Sequence, residues 1–576
     1  MSDLSKIYIS ANLTSNEDIE KIPFVIGVTG HRNLHIDTVD EVQKNVEKFF
    51  NKLRSNFPNS RFVVLSGLAE GVDQLIGIAA VNAGFELWAI LPTSISEYEK
   101  DFIQPEALEK FHKVLGKSSK ILNASTLNGY EDNFSSRPKI YENLRDQLCK
   151  MSHSLIAVWN GKNDDAAGGT SNVVNTFLNG LHSRSSVSLI SPPSCGDVLQ
   201  ILAPRSNDDP FEVKSHWIFA NPLQVTEPEY KNYLNNYLGR IKNSLQFIDQ
   251  YNSLIAESTN FKSQFPYYLL PKHQDQQDGS SINILGHWFS SAENVAGQYA
   301  LKRQYALMFV ITSSLLFSLL MLSYGSLIDN AWPFIIGTVL IVSVYLFIIS
   351  NWYKKIDSYF IFCRGFAEML RIAIIWKACG IHQSISPVIS SAGISLDDNL
   401  SFAAKSIDAI STLDVNSSSS ESPIFVLQHW AKSQIEYFSG SVNKISYHEN
   451  KSKLYKKISF YCIISAAIFY FTTFFADILG LFESRVDLAK FTIWSMFAFW
   501  ASLSLGTLSI AYSQVMGHDD HAIDYREALI KFKVTKRDLT NDDAARELAV
   551  ELGIASLQEM LQWAINKRRH PVKMPF

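Results

Sequence analysis

The sequence predicts an α/β chain with an N-terminal doubly wound parallel-sheet (Rossmann-like) domain. An α-helical membrane region with two transmembrane hairpins and cytoplasmic helices is expected after it. Three observations carry this expectation. Between 21 and 205, short apolar runs alternate with amphipathic stretches, the pattern of parallel strands covered on both faces. Four stretches, 304–328, 330–353, 458–476 and 491–518, contain no Asp, Glu, Lys or Arg, and each is near the ~20 residues a helix needs to cross hydrocarbon. Finally, the 576 residues are 19% charged and 12% aromatic, against roughly 25% charged in soluble domains. A disordered polymer is excluded, and a net charge of −4 speaks against a nucleic-acid binder.

Taken in order, 1–20 is an N-terminal extension without the basic start and apolar core of a signal peptide. Phe24–Val28 predicts a strand ending in Thr29-Gly30. Thr38-x-x-Glu41 offers a capping box for a helix whose apolar face is Val39, Val42, Val46, Phe49, Phe50, Leu53 and Phe57. Arg61–Leu65 is a second strand, Ala69–Ala83 a helix stopped by Gly84, and Glu86–Ile90 a third strand. A helical region at 98–115 is broken at Pro105, and a weak strand lies near Ile121. A helix at Tyr141–Met151, a strand at Leu155–Val158, a helix at Ser171–Leu178 and a strand at Val198–Leu202 complete the alternation.

Residues 206–300 form a connector with a polar run at His273–Ser281. The hairpins occupy 301–353 and 451–516, separated by a helical segment at 354–450 and followed by a charged tail at 517–576. Within the middle segment, Arg364 and Glu368 stand at pairing distance on a helix, and Ser417–Ser422 reads as a flexible loop. Lys302, Arg303, Lys354, Lys355, Lys451, Lys453, Lys456 and Lys457 flank one end of the spans. The tip near Asp329 has no cation, and the other has Arg485 and Lys490 among acids. The bias puts both termini in the cytoplasm, in a multi-pass protein of the inner (cytoplasmic) membrane. No ionisable residue stands at mid-span, which argues against proton-coupled transport. Ala498, Ser502 and Gly506 make a small-residue face for a helix contact. The five scattered cysteines include no CxxC pair and encode neither a disulfide framework nor a zinc site.

In such a sheet, ligands lie at the carboxyl ends of the strands, where helix N-termini point N–H groups outward. Three glycine turns fall there: Thr29-Gly30-His31-Arg32, Ser66-Gly67 through Glu70, Gly71 and Asp73, and Gly168-Gly169-Thr170. Glycine admits a phosphate close to the backbone, while Thr29, Ser66 and Thr170 offer hydroxyls. Arg32 supplies charge, Glu70 and Asp73 can accept from ribose, and Trp159 can stack on a base. Each turn alone is a weak signal, since any such fold needs glycine there; together they point to a nucleotide-type ligand. Asp164 and Asp165 read as a solvated loop, His31 as a hydrogen-bonding turn residue, and no metal or cofactor is expected.

IGVTGHRNL (26–34), LSGLAEGVDQLIGIAA (65–80), AILP (89–92) and LIAVWNGKNDDAAGGTSNVV (155–174) resemble the SLOG superfamily, which unites the DNA-processing protein and the "lonely guy" nucleotide hydrolases. The resemblance covers 21–205 and implies a nucleotide-sensing domain bound at the thirteen turn residues from Thr29 to Thr170 just named. The remainder resembles helical membrane modules associated with such domains in bacterial nucleotide-signalled defence. The hydrolase branch carries PGGxGTxxE; here Gly168-Gly169-Thr170 lacks the proline, and Val173 stands at the glutamate position, which favours binding without turnover.

The expectation is therefore a membrane effector, forming homo-oligomers in the bilayer, that senses a nucleotide-derived signal and disrupts the membrane in antiphage defence. A membrane-anchored nucleotide hydrolase using Glu70 as base is the alternative. A transporter or passive scaffold is the third reading.

Overall fold

A computed structural model describes residues 20–127, 136–162, 168–179, 196–218, 241–257, 269–270, 280–324, 330–391, 398–413, 422–439, 444–479, 481–482, 484–516, 526–527, 529–533 and 541–569. The extension 1–19, Asp164 and Asp165, Cys195, most of the run 273–281 and of the loop 417–422, and the tip at Asp329 lie outside them. The chain divides into two compact units. The first comprises Met1–Ala292, Gly365–Val426 and Ala545–Ile565; the second comprises Glu293–Arg364, Leu427–Ala544 and Asn566–Phe576.

The first unit is organised by a seven-stranded sheet: β1 (Pro23–Gly30), β2 (Arg61–Ser66), β3 (Glu86–Leu91), β4 (Lys120–Asn123), β5 (Ser154–Trp159), β6 (Asp197–Leu202) and β7 (Lys214–Ile218), in the order β4-β3-β2-β1-β5-β6-β7. All pairings are parallel except β6–β7. Phe24, Val25, Ile26 and Val28 are at most 1% exposed, so β1 is apolar throughout because neither of its faces meets water. The helices between strands are α1 (Val39–Asn56), α2 (Val72–Asn82), α3 (Pro105–Leu115), α4 (Arg137–Met151) and α5 (Thr170–Asn179). Proline at the first position of α3 forms its start, where a missing N–H costs no helical bond.

Three local expectations change. The Thr38 hydroxyl donates to the His35 carbonyl at 2.7 Å and does not cap α1. The second helix begins at Val72 and not at Ala69, because Gly71 takes φ +91°. The sheet also continues past 205 into β7, whose KSHWI sequence buries only Trp217 fully.

The later segments of the unit pack onto this sheet. In α6 (Lys242–Glu257), the Asp249 carboxylate accepts from Asn59 N at 2.8 Å and Ser60 Oγ at 3.0 Å. Asn252 accepts from Ile22 N at 3.1 Å. Helices α7 (Ser281–Ser323), α8 (Trp332–Ile349), α9 (Asn351–Ala378), α10 (Ile385–Ser391), α11 (Asp398–Ser411) and α12 (Pro423–Ser439) follow. The far half of α9 lies against α15 (Asp542–Arg569), with Trp376 Nε1 donating to the Ala549 carbonyl at 2.8 Å. Glu368 pairs with Arg371 at 2.7 Å, in place of the expected Arg364.

The tightest of these joints centres on His153, just past α4. Its Nδ1 accepts from Val25 N at 3.1 Å, which leaves the proton on Nε2, 3.0 Å from both the Phe402 carbonyl and Ser406 Oγ of α11. Ser406 Oγ in turn donates to the Pro23 carbonyl at 3.0 Å, and Lys405 Nζ to the Ser152 carbonyl at 3.2 Å. The Phe402 ring lies 4.2 Å from the imidazole and stacks on Phe24 at 5.9 Å.

In the second unit, α8 packs along the apolar part of α7: Phe309 meets Phe347 at 5.2 Å and Tyr324 meets Phe334 at 5.4 Å. Helices α13 (Lys444–Ile478) and α14 (Arg485–Met516) likewise run antiparallel. Tyr455 faces Tyr512 at 5.0 Å, Ser465 faces Ser502 at 3.5 Å and Tyr470 faces Phe499 at 5.9 Å. A Cβ on Gly506 would stand 3.0 Å from that of Cys462, so Ser502 and Gly506 serve an intramolecular contact. Among the described residues, four helices are long and apolar enough to cross a membrane, and only 11–28% of their apolar windows is buried inside the protein. The protein is thus a membrane protein by the length and composition of these helices.

Burial, with Lys405 nearby, lowers the His153 pKa to about 3 from an unfolded value near 6.5. Its contribution to stability is complete above the unfolded value and is lost as pH falls toward the folded one. At pH 5 this loss is about 2 kcal/mol. Hydrogen exchange across 398–411 should therefore accelerate between pH 7 and pH 5, after correction for intrinsic rates. In His153→Gln that pH dependence should be flattened; an unchanged dependence would assign it to another group.

Candidate functional site

The order of the sheet reverses at β1, which pairs with β2 on one side and β5 on the other. In open parallel sheets a crevice opens outside the carboxyl ends at such a reversal. The first two glycine turns meet there directly. Val72 N donates to the His31 carbonyl at 3.2 Å. A Cβ on Gly71 would stand 2.2 Å from the Arg32 carbonyl oxygen, and one on Gly30 would stand 2.4 Å from Val72 Cγ1. Gly30 and Gly71 thus let β1 and the start of α2 approach closely, and a substitution at either moves that helix.

The third turn joins through a residue the sequence reading missed. Gly168 packs on Tyr141, near the start of α4, with 2.7 Å between the position of a Gly168 Cβ and Tyr141 Cβ. Tyr141 Oη accepts from the Arg32 guanidinium at 3.4 Å and donates to Asp101. Arg137 grips Asp101 with both terminal nitrogens, at 3.1 and 2.9 Å. Tyr98 Oη donates to the Gly67 carbonyl at 3.1 Å. Tyr98, Asp101, Arg137 and Tyr141 lie in segments with no glycine turn or apolar run to mark them; only their position past a strand end and at the start of a helix could have signalled them.

The expected site residues take different places in this arrangement. Arg32 is exposed, makes that one long bond to Tyr141, and forms no ion pair with a described carboxylate, so most of its five N–H donors are open. Burial works against its charge, yet Tyr141, Tyr98 and Asp73 raise its pKa. Asp73 is buried in the first turn of α2. Burial pushes its carboxyl up to about 7 against the Ala69 N–H and Arg32, which favour the charged form. Ser66 is fully buried; its hydroxyl donates to the Asp73 carbonyl and accepts from Leu68 N, each at 3.2 Å. Glu70 is half-exposed in the turn. Thr29 and Thr170 are 7% and 9% exposed, and Gly169 accepts the first helical bond of α5 from Val173 N at 2.9 Å. Val173 is buried.

His31 is a hydrogen-bonding turn residue, as expected, whereas Trp159 is engaged differently from the expectation. The His31 imidazole is buried and accepts from Asn160 N at 3.0 Å, with Arg205 Nε 3.2 Å from both ring nitrogens. It ties the ends of β1, β5 and β6 together. Nearby, Asp208 is held well below the usual carboxylate range by the Arg205 N–H, Asn160 and Lys162. Trp159 is 6% exposed, so its ring is not open for stacking. Its indole nitrogen is buried with no hydrogen-bond acceptor among the described residues.

The arrangement offers an anion the exposed Arg32 guanidinium, while the Asp73 carboxyl beneath it is buried. Among the described residues no group of three His, Cys, Asp or Glu side chains converges on a metal position.

A raised carboxyl pKa penalises folding increasingly as pH climbs from the unfolded value of about 4 to the folded one, by up to about 4 kcal/mol above pH 7. Asp73→Asn should therefore raise the unfolding temperature at pH 8, followed by tryptophan fluorescence, with the gain fading toward pH 4. A destabilised variant at pH 8 would mean that Arg32 draws net stability from the charge.

No protein-family model, curated protein or solved structure matches this chain.

Proposed function

We propose that the sheet unit is a cytoplasmic sensor for a nucleotide-derived ligand and that ligand binding rearranges two transmembrane hairpins. The observation that carries the reading is Arg32, an open guanidinium where three glycine turns meet at the reversal of strand order. Phosphate is the anion whose geometry such a fork of donors fits. The resemblance of 26–34, 65–80, 89–92 and 155–174 to the SLOG superfamily supports the same ligand class. In this reading the sheet is doubly wound, with α1, α2 and α3 on one face and α4 and α5 on the other, because parallel crossovers are right-handed and the strand order reverses after β4.

The hairpin reading draws on chain connectivity. The first unit is built from three segments, and the chain twice leaves it and returns. Each excursion contains two of the four apolar helices. A folded polar body stays on one side of a bilayer, so an even number of crossings in each excursion fits the connectivity. The cation-rich ends of the spans favour the cytoplasm for that side.

Signal and response are linked through α4. Its first turns carry Arg137 and Tyr141 at the site, and just past its last turn Ser152 and His153 hold α11. Helix α11 lies in the segment between the two excursions. A bacterial defence effector that permeabilises its own membrane fits this design. The hydrolase reading requires Glu70 as base, since Val173 leaves the family's glutamate position apolar.

Calorimetry of the detergent-solubilised protein against nucleoside mono- and diphosphates should find a binder, and Arg32→Ala should weaken it by at least tenfold, the loss of about 1.5–3 kcal/mol from a charged hydrogen bond. Unchanged affinity in Arg32→Ala would move the ligand elsewhere. Recovery of cleaved base in the same samples would favour the hydrolase, and Glu70→Gln would then abolish it.

A further inference from the structure

The spans end in an asymmetric set of cations, and what these meet points to a particular lipid. Lys302 and Arg303 stand before the apolar stretch of α7. Lys354 and Lys355 lie in the first turn of α9, directly after α8, and Lys451, Lys453, Lys456 and Lys457 precede the apolar stretch of α13. At the opposite ends, 320–335 has no Lys or Arg, and the start of α14 has Arg485 and Lys490 with Asp487 between them.

Among the described residues, carboxylates pair with two of these cations. Arg303 pairs with Asp357 at 2.9 Å, and Lys453 lies 3.9 Å from Glu449, which Arg526 also engages. Lys302, Lys354, Lys355 and Lys457 are exposed, and no described carboxylate pairs with them. Three of the lysines sit over aromatic rings one turn away on their own helices: Lys302 over Tyr299 at 4.5 Å, Lys355 over Tyr359 at 5.6 Å and Lys451 over Tyr447 at 5.7 Å. A ring under the stem fixes the ammonium against the helix while its N–H donors remain available. Trp352 is 56% exposed beside Lys354, and indole rings settle at the headgroup level.

Resting on the reading that these helices cross a bilayer, we infer that their cation-bearing ends bind the headgroups of anionic phospholipids. A zwitterionic headgroup brings its own ammonium, which competes for the phosphate and repels the lysines. An anionic headgroup brings phosphate without that competitor and supplies the charge that the protein leaves out. The Tyr447 ring, 48% exposed, adds an apolar shelf at the depth where acyl chains begin.

The test uses the full chain reconstituted in vesicles of equal phosphatidylcholine and phosphatidylglycerol. The protein is re-extracted in mild detergent and its retained lipid is quantified by mass spectrometry. The ratio of retained phosphatidylglycerol to phosphatidylcholine should be about three or more, against one in the bulk, since each lysine near an anionic surface favours it by a factor of roughly five. The enrichment should fall in 1 M salt, where screening is strong. The combined variant Lys302→Gln, Lys354→Gln, Lys355→Gln, Lys451→Gln and Lys457→Gln should retain the two lipids in bulk proportion, with unchanged helicity by circular dichroism. Glutamine keeps helix propensity, and Arg485→Gln with Lys490→Gln, at the other ends, should keep the enrichment. Bulk proportions in the wild type, or full enrichment in the five-lysine variant, would overturn the inference. Release of the protein from native membranes by alkaline carbonate would instead overturn the membrane reading beneath it.

Discussion

The buried joint at His153 is the interaction on which the rest of the arrangement depends. One imidazole accepts from β1 and faces α11, two pieces of chain more than 370 residues apart. Around it, Ser406 and Lys405 satisfy the carbonyls of Pro23 and Ser152, groups that would be destabilising if buried without a partner. The joint is apolar on its rim, with Phe24 and Phe402 stacked. Protonation of the imidazole would remove the acceptor for Val25 N and leave a charge among these rings. The same neutrality that makes the joint stable makes it a place where the returning segment is held by a few directional bonds.

Once that segment is pinned, the composition of the excursions follows. Residues 293–364 and 427–544 leave and rejoin the unit that holds the sheet, and each contains two helices whose apolar side chains are largely uncovered by protein. Helices satisfy their own backbone groups, so they are the form in which such segments tolerate hydrocarbon. Within each pair, small residues govern the approach: Gly506 and Ser502 let α14 close on α13, and Gly337 lets α8 close on α7 against Phe317 and Met321. In lipid, close packing of this kind replaces the hydrophobic driving force that water would supply.

What the sequence disclosed and what it withheld divide along a physical line. Apolar runs disclose buried strands and spans, because burial on all sides leaves no polar alternation: β1, β2, β3, β5 and β6 and all four apolar helices were legible. Glycine at strand ends disclosed the turns, and Pro105 disclosed a helix boundary. The edge strand β7 buries one large side chain fully and leaves no such run. Pairings on helices were less legible, since Arg371 is as well placed for Glu368 as Arg364 is. The wall of the candidate site was illegible for a different reason. Tyr141 and Arg137 reach it because α4 runs back toward the strand ends, and that juxtaposition is long-range. Trp159 was legible as important in position, but its burial depends on neighbours supplied by the fold. The docking of α11 is the extreme case, since nothing local in Phe402, Lys405 and Ser406 announces a partner at Pro23 or His153.

Tyr141 and His153 stand at opposite ends of a single helix, and this sets what a ligand at the site could transmit. In the proposed switch, a guanidinium that moves from Tyr141 to a phosphate withdraws one hydrogen bond from the start of α4 and leaves Tyr141 donating to Asp101. The change is local, but α4 is continuous from Arg137 to Met151, about 22 Å at 1.5 Å per residue, and its far end enters the His153 joint directly. A ligand shifts such an equilibrium only by its differential affinity for the two states. One charged hydrogen bond, at about 1.5–3 kcal/mol, corresponds to a population ratio changed by roughly ten- to a hundredfold. That suffices to switch a joint held by three or four bonds if its two states lie within a few kcal/mol of each other, whereas it would leave a joint sealed by a large apolar interface unmoved. In the proposed switch, the bonds at His153, Ser406 and Lys405 are therefore the part of the contact between α11 and the sheet that a ligand would act on, beside an apolar part built from Phe24, Phe402, Ala403 and Ile407.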